Sequence, residues 1–191
     1  AVAAVERAEQ VRRDRGVHRL RVARVLDARE HVPLLGEPAL RWRTRKRPAG
    51  TPASVPVLMV CTEHERDKST WTLSMLEDDQ GFIFSGSEQA GFLPGLRYEN
   101  LPRMVKTRDS AFQGTDLLLR LRNFGATQLV LAGVATHNCV AQTAADAFAN
   151  NFKVAYAADA MASNNDDYGH LVRKVLSEEY RQPILDAAGA S

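Results

Sequence analysis

The sequence predicts an α/β protein: a three-layer α/β/α sandwich on a mainly parallel sheet of about five or six strands. Three observations carry this. The helical pattern Thr115–Phe124 is closed by Gly125 and followed at once by the continuous apolar run Gln128–Gly133, which reads as helix, glycine stop and buried strand. The unit recurs: Asn138–Asn150 is alanine-rich and helical, Asn151 ends it, and Lys153–Ala158 is the next strand. Val55–Cys61, introduced by Pro52 and Pro56, is a third short apolar run of the kind found where both faces of a strand are covered.

Taken in chain order, Ala1–Arg15 has helical composition with Gly16 as a stop, and Val17–Leu26 follows as a strand interrupted by arginines, its core being Leu20–Leu26. Arginine fits a central strand poorly. Residues 1–50 hold 13 Lys/Arg against 6 Asp/Glu, so the front is atypical and basic while the remainder is mildly acidic. The cluster Arg41–Arg47 stands beside Pro48 and Gly50 and reads as a solvated loop, with an anionic partner as the alternative. After the Val55–Cys61 strand, Lys68–Leu101 is a long excursion without clear period, holding a short helix near Trp71–Leu76; ordered loops of that length are usually functional. Arg103–Lys106 reads as a strand end. A final amphipathic helix, Tyr168–Tyr180, places Leu171, Val172, Val175 and Leu176 on one face.

With 191 residues, 45% of them hydrophobic, the chain can bury one substantial core, so a single domain over 1–191 is expected. Two cysteines, Cys61 and Cys139, are too few for a disulfide framework and lack metal-type spacing, which fits a reducing, cytoplasmic setting. No apolar stretch is long enough to span a bilayer. No Gly-x-Gly-x-x-Gly or phosphate loop is present, so no organic cofactor is expected.

Cys139 carries the chemistry. It follows a strand and the turn Gly133–His137 and falls in the first turn of a helix, where unpaired backbone N–H groups and the helix dipole favour thiolate over thiol. The same N–H groups can hold an oxyanion when sulfur attacks a carbonyl. In an open parallel sheet the strand C-termini line the ligand crevice, so Lys106, Cys139 and Asp159 should meet there.

The run Val105-Lys106-Thr107-Arg108-Asp109-Ser110-Ala111-Phe112-Gln113-Gly114-Thr115-Asp116-Leu117, with Leu131–Val140 and Thr143–Ala147, resembles the isochorismatase-like hydrolases. That superfamily includes nicotinamidases and N-carbamoylsarcosine amidohydrolases. The likeness runs from about Val55 to Asp159 and implies a Rossmann-like hydrolase fold. It also implies cleavage of a C–N bond in a small amide or carbamoyl compound through a Cys-Lys-Asp triad and a thioacyl intermediate. Cys139 is then the nucleophile, and Lys106, before Ser-Ala-Phe, stabilises its thiolate by Coulomb attraction. The resemblance further implies a cis peptide between Val134 and Ala135 that turns the N–H groups of Ala135 and Cys139 toward the oxyanion. Relatives commonly form dimers or larger oligomers.

The resemblance places the third member, an aspartate, at the end of the first strand within an apolar-apolar-Asp-x-Gln pattern that this chain lacks. Asp27, after Val25-Leu26, is the best stand-in, although Ala28 and Arg29 replace the usual neighbours; Glu6 is a weaker one. A chain without that aspartate would be a catalytically impaired binding module, and this reading stays open. So does a nucleic-acid contact through residues 41–47, although neither nucleic acid nor membrane is expected as partner.

Phe112, His137 and Trp71 are the expected pocket residues. Trp71 and Phe82–Phe84 are either core plugs or substrate walls. Thr136 and Ser110 read as turn-ordering residues, Cys61 as structural, and Asp159 as structural rather than catalytic. His64 does not reproduce the metal set of nicotinamidases, so no metal is expected there, and it reads as part of a solvated loop, with a substrate contact as the alternative.

Overall fold

The structure, a computed structural model, describes residues 22–27, 56–91 and 101–185; for 22–27 and Asp159 only the backbone is described. Among the described residues the elements follow in the order β1 Val22–Asp27, β2 Val57–Thr62, α1 Leu73–Glu77, β3 Arg103–Lys106, α2 Leu117–Asn123, β4 Gln128–Gly133, α3 Ala141–Ala149, β5 Lys153–Met161, α4 Asp166–Glu178 and β6 Ile184–Leu185, with strands and helices alternating from β2 onward. They form one sheet in the order β3-β2-β1-β4-β5-β6, and each neighbouring pair is parallel. This is the doubly wound arrangement in which the strand order reverses on either side of β1, and ligands collect at the strand C-termini beside that reversal.

The elements form where local chemistry places them. Gly125 stops α2 with φ +60°, and its N–H donates to Arg122 O at 2.8 Å. Asn151 does the same for α3, with φ +65° and its N–H on Phe148 O at 2.9 Å. At α4 the Asn165 side chain accepts from Tyr168 N at 3.0 Å, and Asp166 and Asp167 occupy the first turn, where the helix dipole favours them.

Alternation along the strands divides the core. Leu58, Val60, Leu129, Leu131 and Tyr156 pack under Leu117 and Leu121 of α2, Ala144 and Ala147 of α3, and Leu176 of α4. The alternate residues, Met59, Cys61, Val130, Ala132 and Ala157, are also buried. A sheet covered on both faces is the three-layer α/β/α sandwich that the sequence predicts. Cys61, at 1% exposure on the second face, has the structural place expected of it.

The six-stranded sheet lies within the expected five or six, although the place of the last strand, β6, carries no sequence signal. β5 runs beyond its expected end to Met161, through an irregularity beside Leu131 and Gly133, and other expectations are corrected. Arg24 lies in the middle of a central strand, its backbone in register with Val57 on one side and Val130 on the other; ladder bonds are made by the main chain, so an arginine does not forbid them. On α4 only Val172 and Leu176 pack inward, while Leu171 (61% exposed) and Val175 (42%) face outward, because these two i, i+4 pairs sit about 100° apart around the helix. The expected helix Ala1–Arg15, Glu6 and Arg41–Arg47 lie outside the described residues. Among the described residues, no helix is long and apolar enough to cross a membrane.

Candidate active site

Three strand ends meet at the C-terminal edge of the sheet. Thr62, closing β2, stands in register with Lys106, closing β3. Asp27, closing β1, stands in register with Val60 and Gly133, which places its backbone between β2 and β4; its side chain lies outside the described residues. Past Gly133 the Val134–Ala135 peptide is cis. Thr136–Val140 then form a π-helical turn that leads straight into α3. Helical structure therefore begins at Thr136, two residues earlier than the sequence pattern suggests, and its first turn is a wide one of the kind often found at functional sites.

Cys139 lies in that turn, partly exposed, with Lys106 Nζ 3.1 Å from its Sγ. Lys106 is 1% exposed. A buried ammonium is costly unless its protons are met, and Lys106 also donates to Thr62 Oγ1 at 2.8 Å and to Arg108 O at 3.1 Å. On the other side of the sulfur, Asp109 Oδ1 stands 3.5 Å from Sγ, and its Oδ2 accepts from Gln142 Nε2 at 3.0 Å.

Hydrogen bonds tie the segment after Lys106 to α3. Ser110 Oγ donates to Asp146, and Ala111 N–H donates to Thr143 Oγ1 at 3.0 Å. Ser110 is thus a tie to the helix as well as a turn residue, its Oγ also accepting from Phe112 N. Thr136 orders its turn: its N–H and its hydroxyl both donate to Ala162 O at 2.9 Å.

Cys139 opens onto a cavity of about 260 Å³, walled on one side by Asp109, Ala135 and Asn138 and on the other by His64, two residues past β2, with Thr72 and Phe82 from the excursion. His64 is not a solvated-loop residue. It is 2% exposed, donates from Nδ1 to Thr70 O at 2.8 Å and meets Phe82 edge-on. Arg108 brings a guanidinium to the wall, with Nη1 donating to Thr70 O at 2.9 Å and Thr107 O at 2.7 Å.

Three expected pocket residues do not line this cavity. Phe112 turns inward onto the core beside Phe152. His137 bonds Ser163 through its ring and packs edge-on against Tyr168. Trp71 is a core plug, 7% exposed, with Nε1 donating to Glu65 O and its ring so close to Gly81 that a Cβ there would lie 2.4 Å from it. Phe82 is the aromatic at the wall. Sequence reasoning missed Asp109, Thr62 and Gln142. Only the position of Asp109, three residues after Lys106 in the quoted motif, could have drawn attention to it.

The isochorismatase domain family matches residues 45–178. An uncharacterized isochorismatase family protein, PncA of Bacillus subtilis, is 48% identical over 71 residues, 37% of this chain and 38% of that one. A probable inactive nicotinamidase of Arabidopsis thaliana is 36% identical over 102 residues, 50% of this chain and 52% of its own. The chain thus spans between about two fifths and half the length of these curated relatives. The crystal structure of a nicotinamidase, PncA from Bacillus subtilis, superposes with a TM-score of 0.71 at 22% identity, covering 87% of this chain and 99% of that one. That likeness shows the fold.

Proposed function

The chain belongs to the isochorismatase family, and from that premise we propose that it is a cysteine-dependent amidohydrolase that cleaves the C–N bond of a small amide or carbamoyl compound. The observation that carries the reading is the contact of a buried lysine ammonium with a partly exposed cysteine sulfur, 3.1 Å apart, where the cysteine lines a cavity. A cation at that distance favours thiolate over thiol, and Cys139 lies in the opening turn of a helix that adds to the effect.

In this reading the Cys139 thiolate attacks the substrate carbonyl. Backbone N–H groups of Ala135 and Cys139 receive the oxyanion, and Ala135 N–H donates to no carbonyl among the described residues. Asp27, whose backbone closes the central strand, completes the triad: it delivers the thiol proton to the leaving amine, and water then hydrolyses the thioacyl enzyme. A cavity of about 260 Å³ suits a small ring or chain amide, and the nicotinamidase relatives make nicotinamide the first compound to try. Self-association and a single domain over the full sequence belong to the same reading, and sedimentation of the full chain tests the former.

Ammonia release from a panel of small amides and ureas, nicotinamide included, tests the proposal. Release that stops in Cys139→Ala is the expected result; release unchanged in that variant overturns the mechanism. A second reading, a binding module with impaired catalysis, is favoured by the altered neighbours of Asp27 and by the relative named as probably inactive. It predicts no turnover across the panel, together with saturable binding of one of the same compounds.

A further inference from the structure

We propose that Asp109 is a second catalytic carboxylate at the sulfur, the general base for the water that hydrolyses the thioacyl enzyme. The inference rests on Cys139 being the nucleophile and adds a division of labour between two acids. Asp109 is exposed at the cavity wall. Its Oδ1 stands 3.5 Å from Sγ while Gln142, one helical turn beyond Cys139, holds its Oδ2 at 3.0 Å. The carboxylate is therefore aimed at the reacting atom by a neighbour on the same helix. Among the described residues no lysine or arginine forms an ion pair with it, so its charge is available to take a proton.

The two half-reactions need opposite proton transfers. Acylation gives a proton to a departing amine, whereas deacylation takes one from an entering water. Lys106 cannot do the second, since a lysine ammonium has donors only and these point at Thr62, Arg108 and the sulfur itself. Asp109 is the exposed carboxylate that lines the cavity with Cys139 and stands 3.5 Å from its sulfur, within reach of a water that approaches the thioacyl carbon from the cavity. In the step assigned to Asp109, water oxygen bonds to the thioacyl carbon as its proton passes to Oδ1. The tetrahedral oxyanion then collapses, the C–S bond breaks, and the thiolate returns to Lys106. Asp109 releases its proton to solvent.

The experiment uses p-nitrophenyl acetate, which acylates a reactive thiolate whatever the natural substrate, with intact mass spectrometry to follow the acetyl group on Cys139. Wild-type protein should show a burst of nitrophenolate and then steady turnover. Asp109→Asn should keep the burst and lose the acetyl group roughly 100-fold more slowly, the size usual for a general base, so that acetyl-enzyme accumulates. Gln142→Leu should show a smaller slowing of the same step. Alkylation by iodoacetamide should not slow in Asp109→Asn, because removing a negative charge beside the sulfur favours the thiolate. An adduct lost as quickly in Asp109→Asn as in wild type overturns this inference alone, as does an equal slowing of burst and deacylation. Wild-type protein that never forms the adduct on Cys139 overturns the nucleophile reading and this one together.

Discussion

The two walls of the cavity are held by different means. The wall that carries the sulfur is tied across the fold: Lys106 to Thr62 on the neighbouring strand, Ser110 to Asp146, Ala111 to Thr143, and Gln182 Nε2 to Ala144 O at 3.1 Å beneath α3. The wall made by the excursion is tied largely to itself. His64 N–H bonds Ile83 O at 3.0 Å, Ser85 N–H bonds His64 O at 2.9 Å, and Glu65 N–H bonds Thr70 Oγ1 at 2.7 Å. One wall is positioned by contacts between distant parts of the sequence and the other by its own turns. The proposed chemistry belongs to the first, and the residues that would touch the rest of a substrate to the second, a division under which the second wall should vary with little effect on the sulfur.

The strongest way to break this contrast is to remove the lysine. Lys106→Ala should lower amide turnover by roughly 1,000-fold or more, as loss of a group acting as a unit with the nucleophile does. Initial-rate measurements check this, and Cys139 should then be alkylated slowly near neutral pH. Next in size is a test of the core beneath the same wall. Tyr156 is fully buried, its hydroxyl donates to Gln182, and burial pushes its phenol well above the usual tyrosine range. The neutral form is thus favoured in the folded state. The stability it contributes is complete below pH of about 10 and is lost as pH rises beyond that, where the unfolded chain ionises. Urea titrations should show a fall in stability above about pH 10 that Tyr156→Phe flattens, at a cost near neutral pH of about 1–3 kcal/mol for leaving Gln182 Oε1 without its donor.

The excursion wall should respond differently. Phe82→Ala is expected to raise KM by roughly 10-fold, the worth of one apolar wall contact, while the rate of Cys139 alkylation stays as in wild type; a matching loss in alkylation would show that the two walls are not independent. The smallest effect belongs to Asp116, which Arg120 holds below the usual carboxylate range through a 2.8 Å hydrogen bond at the start of α2. Its contribution is present above the unfolded carboxylate pKa and fades as pH falls through the lower folded value. Asp116→Asn should cost only a few tenths of a kcal/mol at neutral pH in thermal melts, because the pair is exposed.

What the sequence disclosed follows the same division. β4 is legible to the residue, since a continuous apolar run bounded by turn signals is best buried as a strand covered on both faces. Lys106 and Cys139 are legible because their motifs put them at or just beyond strand ends. β6 lies directly after a proline, is two residues long and carries no pattern; it exists because Tyr156 N–H finds Pro183 O at 3.0 Å. In the excursion, composition could not say which aromatic faces the cavity. The bridge between His64 and Phe84 settles it, presenting Phe82 to the cavity and turning Trp71 onto Gly81. Asp109 was hidden for the opposite reason: a polar residue in an exposed turn has no periodicity, and only the folding of that turn onto α3 brings it to the sulfur.

The strand order has a consequence for how the protein reaches its native state. β1 is the first of the strands in sequence but the third in space, and Val22 finds its partner Gln128 roughly 100 residues further along the chain. The crevice between them comes into being only when that distant pairing closes. Contacts so far apart in sequence form late and slowly, so recovery of Cys139 reactivity during refolding should track the final cooperative phase rather than the earlier appearance of helices. A chain interrupted before β4 would have the lysine but no cleft to hold it in.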